Sequence, residues 1–408
     1  ADTVLTANNN TNITFDSTVN GAQALRLVSG GTSTFTGTVG QSTALTSLST
    51  DATGTMAMNG ISVTTSGAQT YNNPVVLQSH TTLNASALTF NQSLTGNDAV
   101  LTRNLTVNAS SGDITFNGAL GDATGKLGAI VLQTPANNVF NAPVTAASIV
   151  TDSTGAGVGQ THINAGTMTT SGAQTYHDAV VLQSHTTLNA SALNFHQSVT
   201  GNDANVARNL TIHATQGDVT FNANVGSNAG RVGVFQVTAT DSIRFQDLIT
   251  VAHFETGTTG TTVFNSSLAT TTSASSMLFG NDVVIAVPAF TFDATDGGAL
   301  ATGANITFGK SLSNSSLGQR EIIIRAGTLG VVTFLGPVGM DSHAVAAPLS
   351  ELTVIAGGGI DIGGGYVHTT GAQTYSSPVS LSASSTLLAS QINWPSVTAT
   401  VSNVDLTL

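Results

Sequence analysis

The side chains able to do chemistry are few and spread along the chain. Its 408 residues hold 21 acids, nine lysines and arginines, nine histidines and no cysteine. A polysaccharide lyase needs clustered carboxylates that hold Ca²⁺ beside a Lys or Arg base, and a glycoside hydrolase needs two carboxyls flanking the scissile bond. The acids here (Asp113, Asp122, Asp152, Asp178, Asp218, Asp241, Asp247) stand one at a time. Asp113 and Asp218 each follow a glycine at the same place in a repeated segment, which suits the capping of a bend. Stacking of successive chain segments can still bring separated acids together. His80 and His185 occupy equivalent QSHTT positions, and His177 and His196 occur only in the second copy. Histidines on neighbouring turns could ligate a metal if they stacked, whereas a single imidazole per turn reads as a surface or bend residue. Arg103 and Arg208 could bind an anion, but a place along the strand surface or beside an Asp explains them more simply.

Several shorter patterns reduce to turns. Gly357–Gly365 (GGGIDIGGG) echoes the Ca²⁺-binding glycine-aspartate nonapeptide in one imperfect copy, and such sites form only from tandem copies. Gly96-Asn97-Asp98 and Gly201-Asn202-Asp203 read as tight turns. Thr81-Thr82 and Thr270-Thr271-Thr272 do not extend into the regular Thr-x-Thr face of an ice-binding array. No G-x-S-x-G, phosphate loop or H-E-x-x-H occurs. The sequence therefore assigns no catalytic, cofactor-binding or metal-binding residue, and no enzyme activity is expected.

The elements that carry these residues repeat. Residues 64–90 (TTSGAQTYNNPVVLQSHTTLNASALTF) recur at 169–195 with 23 of 27 positions identical, at an offset of 105, and a looser copy starts at Thr369. Beneath this lies a shorter beat: an aromatic, three small or polar residues, then usually Val, Leu or Ile. It falls at Phe15, Phe35, Tyr71, Phe90, Phe116, Phe140, Tyr176, Phe195, Phe221, Phe245 and Phe264. It returns at Phe308, Phe334, Tyr375 and, less regularly, Trp394. From Phe35 to Phe140 the steps are 36, 19, 26 and 24 residues, and from Phe140 to Phe245 they are the same. A fixed period of this kind marks a stacked architecture. Steps of 19 to 26 suit one turn of a parallel β-solenoid, with the aromatics stacked as an internal ladder. The 36-residue steps predict an extra strand pair or a protruding loop.

Helix signals are poor, and period-2 runs ending in Gly, Asn or Asp dominate. The expected fold is all-β: one elongated parallel β-helix of roughly 15–18 turns at about 4.8 Å each, or about 70–90 Å. Its expected divisions are 1–63 (opening turns), 64–168 (first repeat), 169–244 (second repeat), 245–368 (diverged turns) and 369–408 (partial third repeat), with 269–276 a Ser/Thr-rich bend or small insertion.

Composition narrows the setting. Charged residues make up 7% of the chain, against about 25% in ordinary soluble domains, and the mean hydropathy is +0.21. A net charge of −12 without basic clusters excludes nucleic acid and anionic membrane as expected partners. No stretch approaches the roughly 20 apolar residues of a membrane span. The opening ADTVLTANNN has neither a charged start nor an apolar core, so any signal peptide is expected to be already removed.

The GAQTY pieces (Gly67–Tyr71, Gly172–Tyr176, Gly371–Tyr375) and the later Phe116–Gly121 and Phe221–Gly226 (TFN-x-x-[VL]-G) resemble the repeats of filamentous-haemagglutinin-like exoproteins. Such proteins are bacterial surface and secreted adhesins, many exported by two-partner secretion. The resemblance covers residues 15–400 in rhythm and the duplicated parts in sequence. It implies a right-handed parallel β-helix in an elongated extracellular protein, and the absence of cysteine fits. The expected function is structural or adhesive. Partners would be other copies joined end to end, with residues 1–20 and 390–408 as the interface, neighbouring repeats of a longer chain, or a surface glycan. The alternative is a glycan-binding or polysaccharide-degrading β-helix.

Overall fold

The computed structural model describes residues 1–408 except 153–158, 267, 272–274, 316–319, 342 and 403. The chain is an all-β parallel solenoid of about 17 turns. It comprises two compact units, Ala1–Gln197 and Ser198–Leu408. Strands are mostly three to eight residues long, and the helical element among the described residues is the single 3₁₀ turn Asp296–Gly298. Of the Ser/Thr-rich run at 269–276, residues 272–274 lie outside the described residues, and a strand covers Leu268–Thr271.

Short alternating runs become strands because every second side chain finds the interior. Gln69–Tyr71, Val75–Leu77 and Thr81–Ala85 all alternate buried and half-buried residues. Parallel pairing in register then places like residues above one another. In the first unit Val63, Leu83, Val107 and Leu132 form one aliphatic column. Bends need glycine where backbones meet: Gly121 has φ +64°, and a Cβ there would overlap the Thr145 carbonyl oxygen. Gly226 (φ +73°) stands the same way against Thr250.

The aromatics do not share one column. In the first unit Phe15 lies on Phe35, and Met58 and Leu77 continue that column. A second column stacks Tyr71, Phe90, Phe116 and Phe140 at centroid distances of 5.0, 5.1 and 5.6 Å, continued by Ile163 and Leu182. A third continues the aliphatic column from Leu132 through Thr151 and carries Tyr176 and Phe195, 5.2 Å apart. In the second unit Phe221, Phe245 and Phe264 stack at 5.1 and 5.4 Å. Phe235 and Phe254 form a neighbouring column that meets them edge-on. Phe279, Phe308 and Phe334 follow, and Tyr375 lies 6.2 Å from Trp394. All these rings are buried except Phe15 and Trp394, which are half-buried.

The 36-residue step explains the change of column. Phe35 pairs in register with Met58, one turn on, and the chain then crosses the strand Ser62–Thr64 and reaches Tyr71 one strand before Leu77, the next register partner of Met58. Likewise Phe140 pairs with Ile163 before Tyr176 is reached. The first of these steps is ordinary solenoid, not an inserted strand pair or loop: Met58 and then Leu77 take over the aromatic's column, and the next ring lands on another face.

Candidate functional site

The GAQTY motif is an internal staple. Gln69 is fully buried; its Nε2 donates to the carbonyls of Val63 (3.2 Å) and Asn84 (3.0 Å), and its Oε1 accepts from the Tyr71 hydroxyl (2.8 Å). Gln174 does the same with Met168, Asn189 and Tyr176, and Gln373 with Val367, Leu388 and Tyr375. The threonine four residues before each glutamine donates to the carbonyl of the motif glycine. Both carbonyls can only accept, which fixes which end of each amide faces them. Burial pushes the Tyr71, Tyr176 and Tyr375 hydroxyls well above the ordinary phenol range.

A second device accompanies the change of column. Thr50, at the end of its strand, donates to buried Asn73 (2.7 Å). In the second copy Thr151 and Thr161 donate to Asp178, which replaces that asparagine (2.7 and 2.8 Å). In the diverged turns Thr256 and Thr262 converge on Asn281 (2.8 and 3.0 Å). Outside, an amide ladder joins successive turns: Asn91 donates to Asn72, Asn117 to Asn91 and Asn141 to Asn117, at 2.7, 2.8 and 2.8 Å.

The acids that look solitary in the sequence are not all solitary in space. Asp152 and Asp178 are both buried and lie together. Asp152 accepts from the Thr134 amide (2.7 Å) and from the Asn138 side chain, whose own oxygen is buried without a partner. Burial, aided by the Asp178 carboxylate, raises the Asp152 carboxyl to about 7. Asp113 and Asp218 act between turns: each accepts from an amide one turn on, at Asn137 and Ser242 (both 2.9 Å). Asp218 also faces Arg244 at 3.7 Å across an exposed gap. Arg103 and Arg208 grip the asparagines of the Gly-Asn-Asp turns (Asn97 and Asn202, 2.8 Å). In the first of those turns the Leu101 and Val100 amides hold the Asp98 carboxyl below its ordinary range. Asp122 caps its own turn through Thr124 and Gly125. In the glycine-rich run, Asp361 accepts from Ser382 (3.1 Å).

Two further groupings face solvent. His177 and His196 stack at 4.3 Å with an interplanar angle of 9°. Glu321 and Glu351 are register partners on adjacent turns and line a groove with Pro288, Ala289, Ser350 and Thr370. Among the described residues no group of three or more His, Asp or Glu is placed to hold a metal ion. No protein-family model, curated protein or solved structure matches the chain. The parallel solenoid stands on the strand register described above.

Proposed function

We propose that this chain is a non-enzymatic structural or adhesive solenoid of the haemagglutinin-like type, displayed outside a bacterial cell. The observation that carries the reading is what its polar groups do. The three buried Gln–Tyr staples and the Asn72–Asn141 amide ladder tie strand to strand and turn to turn. Backbone pairing supplies the lengthwise cohesion, stacked rings and aliphatics fill the interior, and a low-charge surface of Thr, Ser and Asn stays hydrated. Partners on this reading are further turns or further copies added by strand pairing, and a surface glycan. Electron microscopy across a concentration and salt series, with binding to a panel of cell-surface polysaccharides, tests it. Ordered assemblies, or glycan binding without bond cleavage, are expected. Release of new reducing ends or unsaturated uronates from any polysaccharide would overturn it.

A polysaccharide-degrading groove is the second reading, favoured by the stacked Glu321 and Glu351 carboxyls. Its test is loss of any such release in the Glu321→Gln variant.

A further inference from the structure

The two 27-residue copies, 64–90 and 169–195, fold alike and differ chiefly in one small area. Across the 27 aligned positions the four differences are Asn72/His177, Asn73/Asp178, Pro74/Ala179 and Thr89/Asn194, and just beyond lies Asn91/His196. Three are consecutive, and the other two sit on the next turn of the same face, because Tyr176 pairs in register with Phe195. In the first copy this face carries the hydrogen-bonded Asn72–Asn91 pair. The second copy puts two imidazoles in those slots, stacked at 4.3 Å.

Their surroundings prepare them as ligands. The Nδ1 of His177 meets the Thr151 carbonyl at 2.9 Å. A carbonyl only accepts, so Nδ1 carries the proton and the neutral ring keeps its lone pair on Nε2. A backbone carbonyl that fixes the tautomer of a ligating histidine is a recurrent supporting contact at metal sites. Thr151 also donates its hydroxyl to Asp178, so the same residue holds the imidazole and the carboxylate that distinguish this copy. His196 is exposed and free to turn about its own side-chain bonds.

We propose that His177 and His196 form a two-imidazole site for a divalent transition-metal cation of the copper, nickel or zinc class. The stacked rings are nearly parallel, so binding requires the exposed His196 to turn its Nε2 towards an ion held on the His177 Nε2, at the about 2.0–2.1 Å of imidazole ligation. Imidazole suits these borderline ions and does not suit Ca²⁺ or Mg²⁺. The remaining positions are open to water, so the ion exchanges readily. Asp178 is turned inward to Thr151 and Thr161 and serves as support, not as a ligand.

The test is titration of the full chain with Cu²⁺ at pH 7.4, followed by calorimetry and electron paramagnetic resonance. One equivalent with two-nitrogen hyperfine structure is expected above the background of the other seven histidines. His177→Asn with His196→Asn rebuilds the surface of the first copy, which folds with asparagine in both slots, and removes that equivalent. His196→Asn alone, a change at an exposed position, weakens it at least tenfold. His213→Asn, on an exposed strand position elsewhere, leaves it intact. Unchanged stoichiometry and affinity in the double variant, or in His196→Asn, would overturn the proposal, and so would stronger binding of Ca²⁺ than of Cu²⁺.

Discussion

Replacing Gln69 by Leu keeps the volume and removes the staple. The Tyr71 hydroxyl, sealed from water, then has no acceptor, which costs about 1–3 kcal/mol. The Val63 and Asn84 carbonyls lose their side-chain donor, although Asn84 still accepts from the Thr65 amide at 2.9 Å. Apolar burial of the leucine offsets part of this, leaving a net loss of about 2–3 kcal/mol. Tyr71→Phe leaves the stacked ring in place and orphans only the glutamine oxygen, for about 1–2 kcal/mol. The double variant removes both halves of one hydrogen bond, so its loss falls short of the sum of the singles by about 1–2 kcal/mol. A solenoid opens locally and does not melt as one cooperative unit, so the suitable assay is native-state hydrogen exchange read on peptides spanning 62–71 and 81–90. Additive losses, within about 0.5 kcal/mol, would refute the staple as an energetic unit.

The contrast with the exposed ladder is sharp: Asn117→Ala breaks two inter-turn amide bonds in water's reach and should cost no more than about 1 kcal/mol by the same exchange assay. Gly121→Ala forces a side chain into left-handed backbone and onto the Thr145 carbonyl, so a loss above about 2 kcal/mol is expected in exchange at 120–145. The Asp152 carboxyl, at about 7, lies above its unfolded value near 3.9, so the folded state keeps a proton that the unfolded chain has released. Its contribution is full below pH about 4 and is lost as pH rises towards 7. Exchange in the strands Val144–Thr151 and Gln174–Tyr176, corrected for intrinsic rate, should therefore speed up between pH 5 and 8, and Asp178→Asn should flatten that slope.

Much of the fold is legible in the sequence because parallel stacking converts spacing directly into contact. The 19-residue step from Tyr176 to Phe195 is a register pairing, and it also places His177 beside His196. The division of the aromatics into columns is not legible from the beat alone. Phe35 is followed in its column by Met58 and Phe140 by Ile163, and neither successor is aromatic. The staple had a readable signal: residues two apart on a strand share a face, so an inward Tyr71 requires an inward Gln69. The Asp152–Asp178 pair lacks such a signal, because the approach depends on where each strand bends.

The polar devices sit where the aromatic columns change, and the physics of register gives a reason. A one-residue slip along a strand exchanges its inner and outer faces, but a column of rings or aliphatics tolerates a two-residue slip, since any apolar neighbour satisfies any other. A buried amide or carboxylate does not tolerate it, because losing its partner costs the full desolvation of a polar group. At Tyr71 and Tyr176 the incoming ring meets a threonine instead of a ring; that threonine is tied to Asn73 or Asp178, and the ring's hydroxyl to Gln69 or Gln174. Each new column thus starts on contacts that only one alignment satisfies, and the apolar stack above inherits that alignment. The arrangement puts specificity at the column starts and bulk cohesion between them. It also accounts for a motif that is kept nearly intact through three copies while carrying no reactive group to the surface.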